Sequence, residues 1–228
     1  MESIKSYAQK TNNIHLNPYF STLDRKELPL SLFLKSQEGF IEAVDHWTHI
    51  MCKLVLILPS DKERFPIIMN LYDEHGEGDL KNSHVQTFTR FLESLGYNEP
   101  VALDKSSPSH RICKTFNKSL DRSVQKSELN YKYMSALLGM IEYTYITVSR
   151  KIHNYATQFV DAENIEHYSL HEIVDCKHSD DMFRLCLDEN GKLNDVDREI
   201  VFLGIRDGYD LFNTLYANLA SFAFPTTT

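Results

Sequence analysis

The chain has 228 residues, of which 42% are hydrophobic and 25% charged, and carries a net charge of −8. That is the make-up of a folded globular protein with a sizeable core. The acidic balance argues against a basic face for gripping nucleic acid, and no apolar run approaches the ~18 residues of a membrane span. Eight glycines and seven prolines are few for this length and favour long helices over a turn-rich β architecture. The first residues lack a hydrophobic signal core. Cys52, Cys113, Cys176 and Cys186 form no CxxC pair and lie mostly in apolar helical patterns, as expected of reduced, buried thiols in a cytoplasmic protein.

Residues 1–27 are polar and without a pattern, so an N-terminal arm is expected there, followed by one helical domain over 28–228. Leu32, Phe33, Phe40, Ile41, Val44, Trp47, Ile50, Met51 and Val55 recur at helical steps and predict one helix over 29–58. Ser60 or Asp61 caps a second helical stretch that ends at Gly96. Its centre, Asp73-Glu74-His75-Gly76-Glu77-Gly78-Asp79, is too polar and too rich in glycine for a plain helix interior, which predicts a break or a distortion. A loop over 97–109 and a short, weak helix near 110–121 follow. A strongly periodic helix is predicted from Ser127 or Glu128 to Phe159, another over 163–187, and a last one from an Asn194 or Asp195 cap to Phe224. The fold class is all-α.

Within this pattern, three places carry acids or imidazoles where a helix should be apolar. His171, Asp175 and His178 lie at about 0°, 40° and −20° around a helix and so leave it from one narrow face. Three such groups suit a divalent metal with nitrogen and oxygen ligands, although a solvated polar face has the same pattern. Glu142 sits between Ile141 and Tyr143, where a buried carboxylate needs a partner or a metal. Glu74 and His84 flank the glycine-rich stretch. Ten residues is about −80° on an ideal helix, so only a bulge or break brings them to one side. His75 and Glu77 are the substitutes there.

Taken in order, Asn70-Leu-Tyr-Asp-Glu-His-Gly, His84, the lone Glu142 and His171-x3-Asp175-x2-His178 resemble the heme-oxygenase-like diiron oxidase family. The likeness is strongest to CADD-like members of the thiaminase/PqqC-like superfamily, and it covers about residues 28–224. It implies a heme-oxygenase-like bundle of about seven helices. It also implies Glu74, His84, Glu142, His171, Asp175 and His178 as ligands of two irons, or of an iron–manganese pair, with Glu142 bridging. The activity implied is a non-heme oxidase or oxygenase that uses O2 to oxidise a small amine-, amino-acid- or carboxylate-bearing metabolite, by N-oxygenation or oxidative C–C cleavage, with an external reductant as a further partner.

Some members of that family add a carboxylate from the first helix. Gln37, Glu38, Glu42 and Asp45 lie near that level, with Gln37 on the inward face beside Phe40 and Val44. Arg150 and Lys151 could hold a substrate carboxylate or face solvent. Tyr143, Tyr145, Phe88 and Trp47 read as core aromatics. Leu215, Leu219, Phe222 and Phe224 on the last helix could pack against a second subunit in a homodimer. Two other functions compete. A metal-free, thiaminase-like hydrolase would need a nucleophilic cysteine such as Cys176 in its pocket. A non-catalytic interaction module would need no inward-facing acids and histidines at all.

Overall fold

The structure is a computed structural model that describes residues 3–97, 107–126 and 130–223. Among them there is no strand: the helices are α1 (Ile4–Thr11), α2 (Pro18–Asp24), α3 (Leu30–Gln37), α4 (Ile41–Ile57), α5 (Asp61–Glu74), α6 (His84–Ser94), α7 (Pro108–Lys126), α8 (Tyr131–Ala156), α9 (Glu166–Arg184) and α10 (Asp195–Ala223), with short 3₁₀ turns between α1 and α2, α3 and α4, α5 and α6, and α8 and α9. No helix of the described residues is long and apolar enough to cross a membrane.

Side-chain caps account for several helix starts. Ser60 accepts from the Lys62 amide at α5, and Asn130 accepts from the amides of Lys132 and Tyr133 at α8. Asn194 accepts from the Asp197 amide at the start of α10. The expected helix starts at Ser127 and Glu128 and most of the expected loop over 97–109 lie outside the described residues.

Three expectations change. The first 27 residues are no unpatterned arm: α1 and α2 are helical, and Ile14, Tyr19, Phe20 and Leu23 join the main core. Their apolar residues are too sparse to show a period by eye, yet most are buried, Leu16 staying exposed. The expected helix over 29–58 is interrupted by a 3₁₀ turn at Glu38–Phe40. There Gly39 leaves room for the backbone of Ser109 and His110 at the start of α7, where a Cβ would collide with both. Finally, α7 is a long helix rather than a short, weak one. Cys113, Phe116, Leu120 and Val124 bury one stripe at helical spacing, and the polar residues between them, the buried Asn117 apart, are at least partly exposed.

Helix α8 is the axis of the fold. It packs along both α9 and α10 and is buried over most of its length, including the polar Ser135, Thr144 and Ser149. Gly204 and Gly208, one turn apart on α10, lie against the backbone carbonyls of Tyr133 and Leu137. Two helices can approach this closely only where no side chain intervenes. Leu215 and Leu219 are buried in the chain's own core, which removes them from any surface for a second copy.

Because α8 carries Glu142, its contact with α10 also sets the level of that carboxylate. Gly208→Ala should cost about 1–3 kcal/mol through overpacking, seen as a fall in Tm of about 2–10 °C. An unchanged Tm in thermal denaturation would show that the contact is looser than drawn here.

Candidate metal centre

Glycine geometry explains how the two residues flanking the break meet. Helix α5 ends at Glu74, and Gly76, Glu77 and Gly78 all adopt positive φ (75°, 55° and 94°). Left-handed backbone at three successive residues turns the chain sharply, which glycine tolerates at two of them. The loop is pinned by its own bonds: the Glu77 amide donates to the Tyr72 carbonyl (3.0 Å), and the Tyr72 hydroxyl donates to the Glu77 carbonyl (2.5 Å). The chain re-enters as α6 at His84, whose Nδ1 lies against Glu74 Oε2. A full break, not a bulge, brings the pair together.

The other four residues arrive from α8 and α9. Glu74, His84, Glu142, His171, Asp175 and His178 are all buried, none more than 8% exposed. The ligand atoms of Glu74, Glu142 and His178 lie within 4.8 Å of one another. Asp175 Oδ1 lies 3.0 Å from His171 Nδ1 and 3.7 Å from His178 Nδ1. The rings of His84 and His171 are 4.2 Å apart between centroids. All six residues singled out in the sequence thus share one buried cluster. His75 and Glu77 stay outside it: His75 is exposed with Nδ1 on the Leu71 carbonyl, and Glu77 stands at the surface.

Supporting residues that the sequence did not reveal surround the cluster. The Trp47 indole donates to Glu142 Oε1 (3.1 Å). Asp73 Oδ2 accepts from His178 Nε2 (3.1 Å), which turns Nδ1 inward. An outer carboxylate on a histidine in this way fixes the ring and its tautomer. His167, fully buried one turn before His171, stacks on His84 and is held by Thr87 Oγ1 (3.0 Å) and the Tyr145 hydroxyl (3.3 Å). The spacing His167-x3-His171 was a signal for it, since the pair extends the same helix face.

Of the first-helix groups, Gln37 and Glu38 bond to other side chains. Gln37 is buried and takes part in a polar chain, accepting from the Tyr168 hydroxyl and donating to Tyr19. Glu38 is bonded to Ser109, Asp45 is exposed, and Glu42 is engaged by Asn117 through its backbone carbonyl. Arg150 pairs with Glu172 and Lys151 with Asp24. Cys176 is exposed, so the hydrolase reading loses its nucleophile; of the four thiols, only Cys113 and Cys186 are buried as expected.

Electrostatics show that the cluster needs a positive charge. Burial alone would raise the Glu74 carboxyl, but the His84 imidazole against it, with His171 and His178 near, holds it down to about 2. Glu142 goes the other way, pushed well above the usual carboxylate range by burial and then by the charges of Asp175 and Glu74. Burial also lowers His84, whereas for His171 and His178 the carboxylate of Asp175, together with Glu74 and, at His178, Asp73, outweighs burial and raises them. Without a cation, this site must hold protons to keep its acids together. Moreover, His84 Nε2, Asp175 Oδ2 and His178 Nδ1 are buried with no hydrogen-bond partner among the described residues. Each such orphan costs about 1–3 kcal/mol. Unpartnered imidazole nitrogens and carboxylate oxygens within one buried cluster fit first-row metal ions such as iron or manganese. Two groups of donors lie close enough together to hold an ion: Glu74 with Glu142 and His178, and His84 with His167 and His171.

Two cavities flank the cluster. On the Glu142 side lies an apolar one of about 40 Å³ walled by Phe40, Ala43, Val44, Phe116, Ile141 and Phe212. On the Glu74 and His178 side lies a polar one of about 100 Å³ that reaches Asp73, Glu77 and Asn82.

A helical bundle with inward carboxylates and histidines on several helices is the architecture of a metal-dependent protein. The comparisons agree. Residues 41–212 match the family described as iron-containing redox enzymes, and the chain belongs to that family with its heme-oxygenase-like all-α fold. Among solved structures, it is similar to a CADD-like protein of unknown function from Nostoc punctiforme. The TM-score is 0.69 at 12% identity, over 96% of this chain and 97% of that one. No protein of curated function matches the sequence.

Since Trp47 is the only tryptophan and touches Glu142, its emission reports on the cluster. Ferrous iron added without oxygen should quench it to saturation. At about a hundred times its Kd, the metal should add about 2.7 kcal/mol of stability, a rise in Tm of about 5–10 °C that a chelator reverses. Unchanged emission and Tm would mean that the cluster holds no metal.

Proposed function

We propose that the chain is a non-heme diiron oxidase or oxygenase that uses O2 to oxidise a small amine-, amino-acid- or carboxylate-bearing metabolite, by N-oxygenation or oxidative C–C cleavage. The observation that carries this reading is the number of donors. Three carboxylates and three imidazoles exceed what one octahedral ion needs once open positions are left for reactants, but they suit two. Manganese at one of the two positions is compatible with the same donors. Bound iron would supply the electron-transfer chemistry that activates dioxygen.

The protein's own part is to hold and to exclude. Trp47 fixes one oxygen of Glu142, and Asp73 fixes His178. The apolar cavity adjoins Glu142, His84 and His171 and carries no other charged group in its lining. The reacting part of the substrate therefore packs among Phe40, Val44, Phe116, Ile141 and Phe212 with water kept out.

The test is rapid mixing of the iron-loaded, anaerobic protein with oxygenated buffer. An oxygen-dependent absorbance change is expected in the wild type and not in the Asp175→Ala, His178→Ala variant. An iron-loaded wild type that does not respond to oxygen would overturn the proposal.

A further inference from the structure

The two cavities differ in a way that separates two traffic routes. The apolar one would strip a hydrated divalent ion of its waters among aromatic walls, with nothing to replace them. The polar one runs from the surface to the ligands in graded steps: exposed Glu77 and Asn82, half-buried Asp73, then buried Glu74, His84 and His178. Two of its buried lining groups, His84 and His178, each carry a ring nitrogen (Nε2 and Nδ1) with no hydrogen-bond partner among the described residues. Two carboxylates at its rim draw a cation in, and Lys177 opposes them, its Nζ 3.8 Å from Asp73 Oδ2 and the side chain 60% exposed.

We propose that metal ions reach the centre through this acidic mouth, with Glu77 as the loading residue and Lys177 as a charge that slows loading, while the apolar cavity is left to the organic substrate. The inference rests on the metal-binding reading above. It also gives the strained Glu77 backbone a use, because the turn that joins Glu74 to His84 holds this carboxylate at the rim.

Stopped-flow Trp47 emission with ferrous iron under anaerobic conditions tests it, comparing the full-length wild type, Glu77→Gln and Lys177→Gln. Both positions are exposed, so both variants should fold as the wild type does. At low ionic strength, Glu77→Gln should load roughly two- to fivefold more slowly and Lys177→Gln faster by a similar factor. All three should reach one final stoichiometry, and the rates should converge in high salt. Opposite signs from two neutral glutamines are not what general destabilisation produces. Equal rates, or rates that move the same way, would overturn the inference while saturable quenching in the wild type left the metal site standing. No quenching in the wild type would instead defeat the metal-binding reading itself.

Discussion

Everything in this fold answers to one electrostatic constraint: three carboxylates and three imidazoles are buried together inside an apolar bundle. Taking them out of water costs several kcal/mol per charge unless partners compensate. The chain provides partial compensation from within, through Glu74 against His84, Asp175 against His171, and Asp73 behind His178. Glu142 receives the Trp47 indole, and burial, followed by the charges of Asp175 and Glu74, pushes its carboxyl well above the usual range. A cluster this incomplete is compatible with metal binding, as its membership of an iron-containing redox family leads one to expect.

Positioning the cluster determines the rest of the architecture. Helix α8 must pass through the centre to bring Glu142 inward, so it is apolar on nearly every side and covered by α9 and α10. Close packing at Gly204 and Gly208 keeps α10 tight against it. Helix α9 presents one face of His167, His171, Asp175 and His178, and its opposite face, with Cys176 and Lys177, is exposed. The left-handed turn at Gly76–Gly78 then closes the site by folding α6 back on α5. Two cavities reach the cluster, one walled by apolar side chains and one leading to the acidic residues Asp73 and Glu77.

The chemistry was more legible in the sequence than the packing. His171-x3-Asp175-x2-His178 states its geometry through helical spacing alone, and Glu142 stands out because its neighbours are apolar. The break between Glu74 and His84 showed in the glycines, but only the φ values decide between a bulge and a full turn. Asp73, Trp47 and Thr87 could not be read in advance, since what matters about them is contact across helices, which no period encodes. The N-terminal helices and α7 were underestimated for a related reason. Their apolar residues are few, and burial by the rest of the bundle, not local periodicity, holds them in place. Gly39 likewise breaks a helix that its own sequence would continue, because α7 crosses there.

The most direct measurement is iron content after anaerobic reconstitution with ferrous iron and removal of the excess, beside an Asp175→Ala, His178→Ala variant. Two irons per chain in the wild type, with loss in the variant, is the result the account predicts. One iron or none in the wild type, or full retention in the variant, would contradict a two-metal centre built on these six residues.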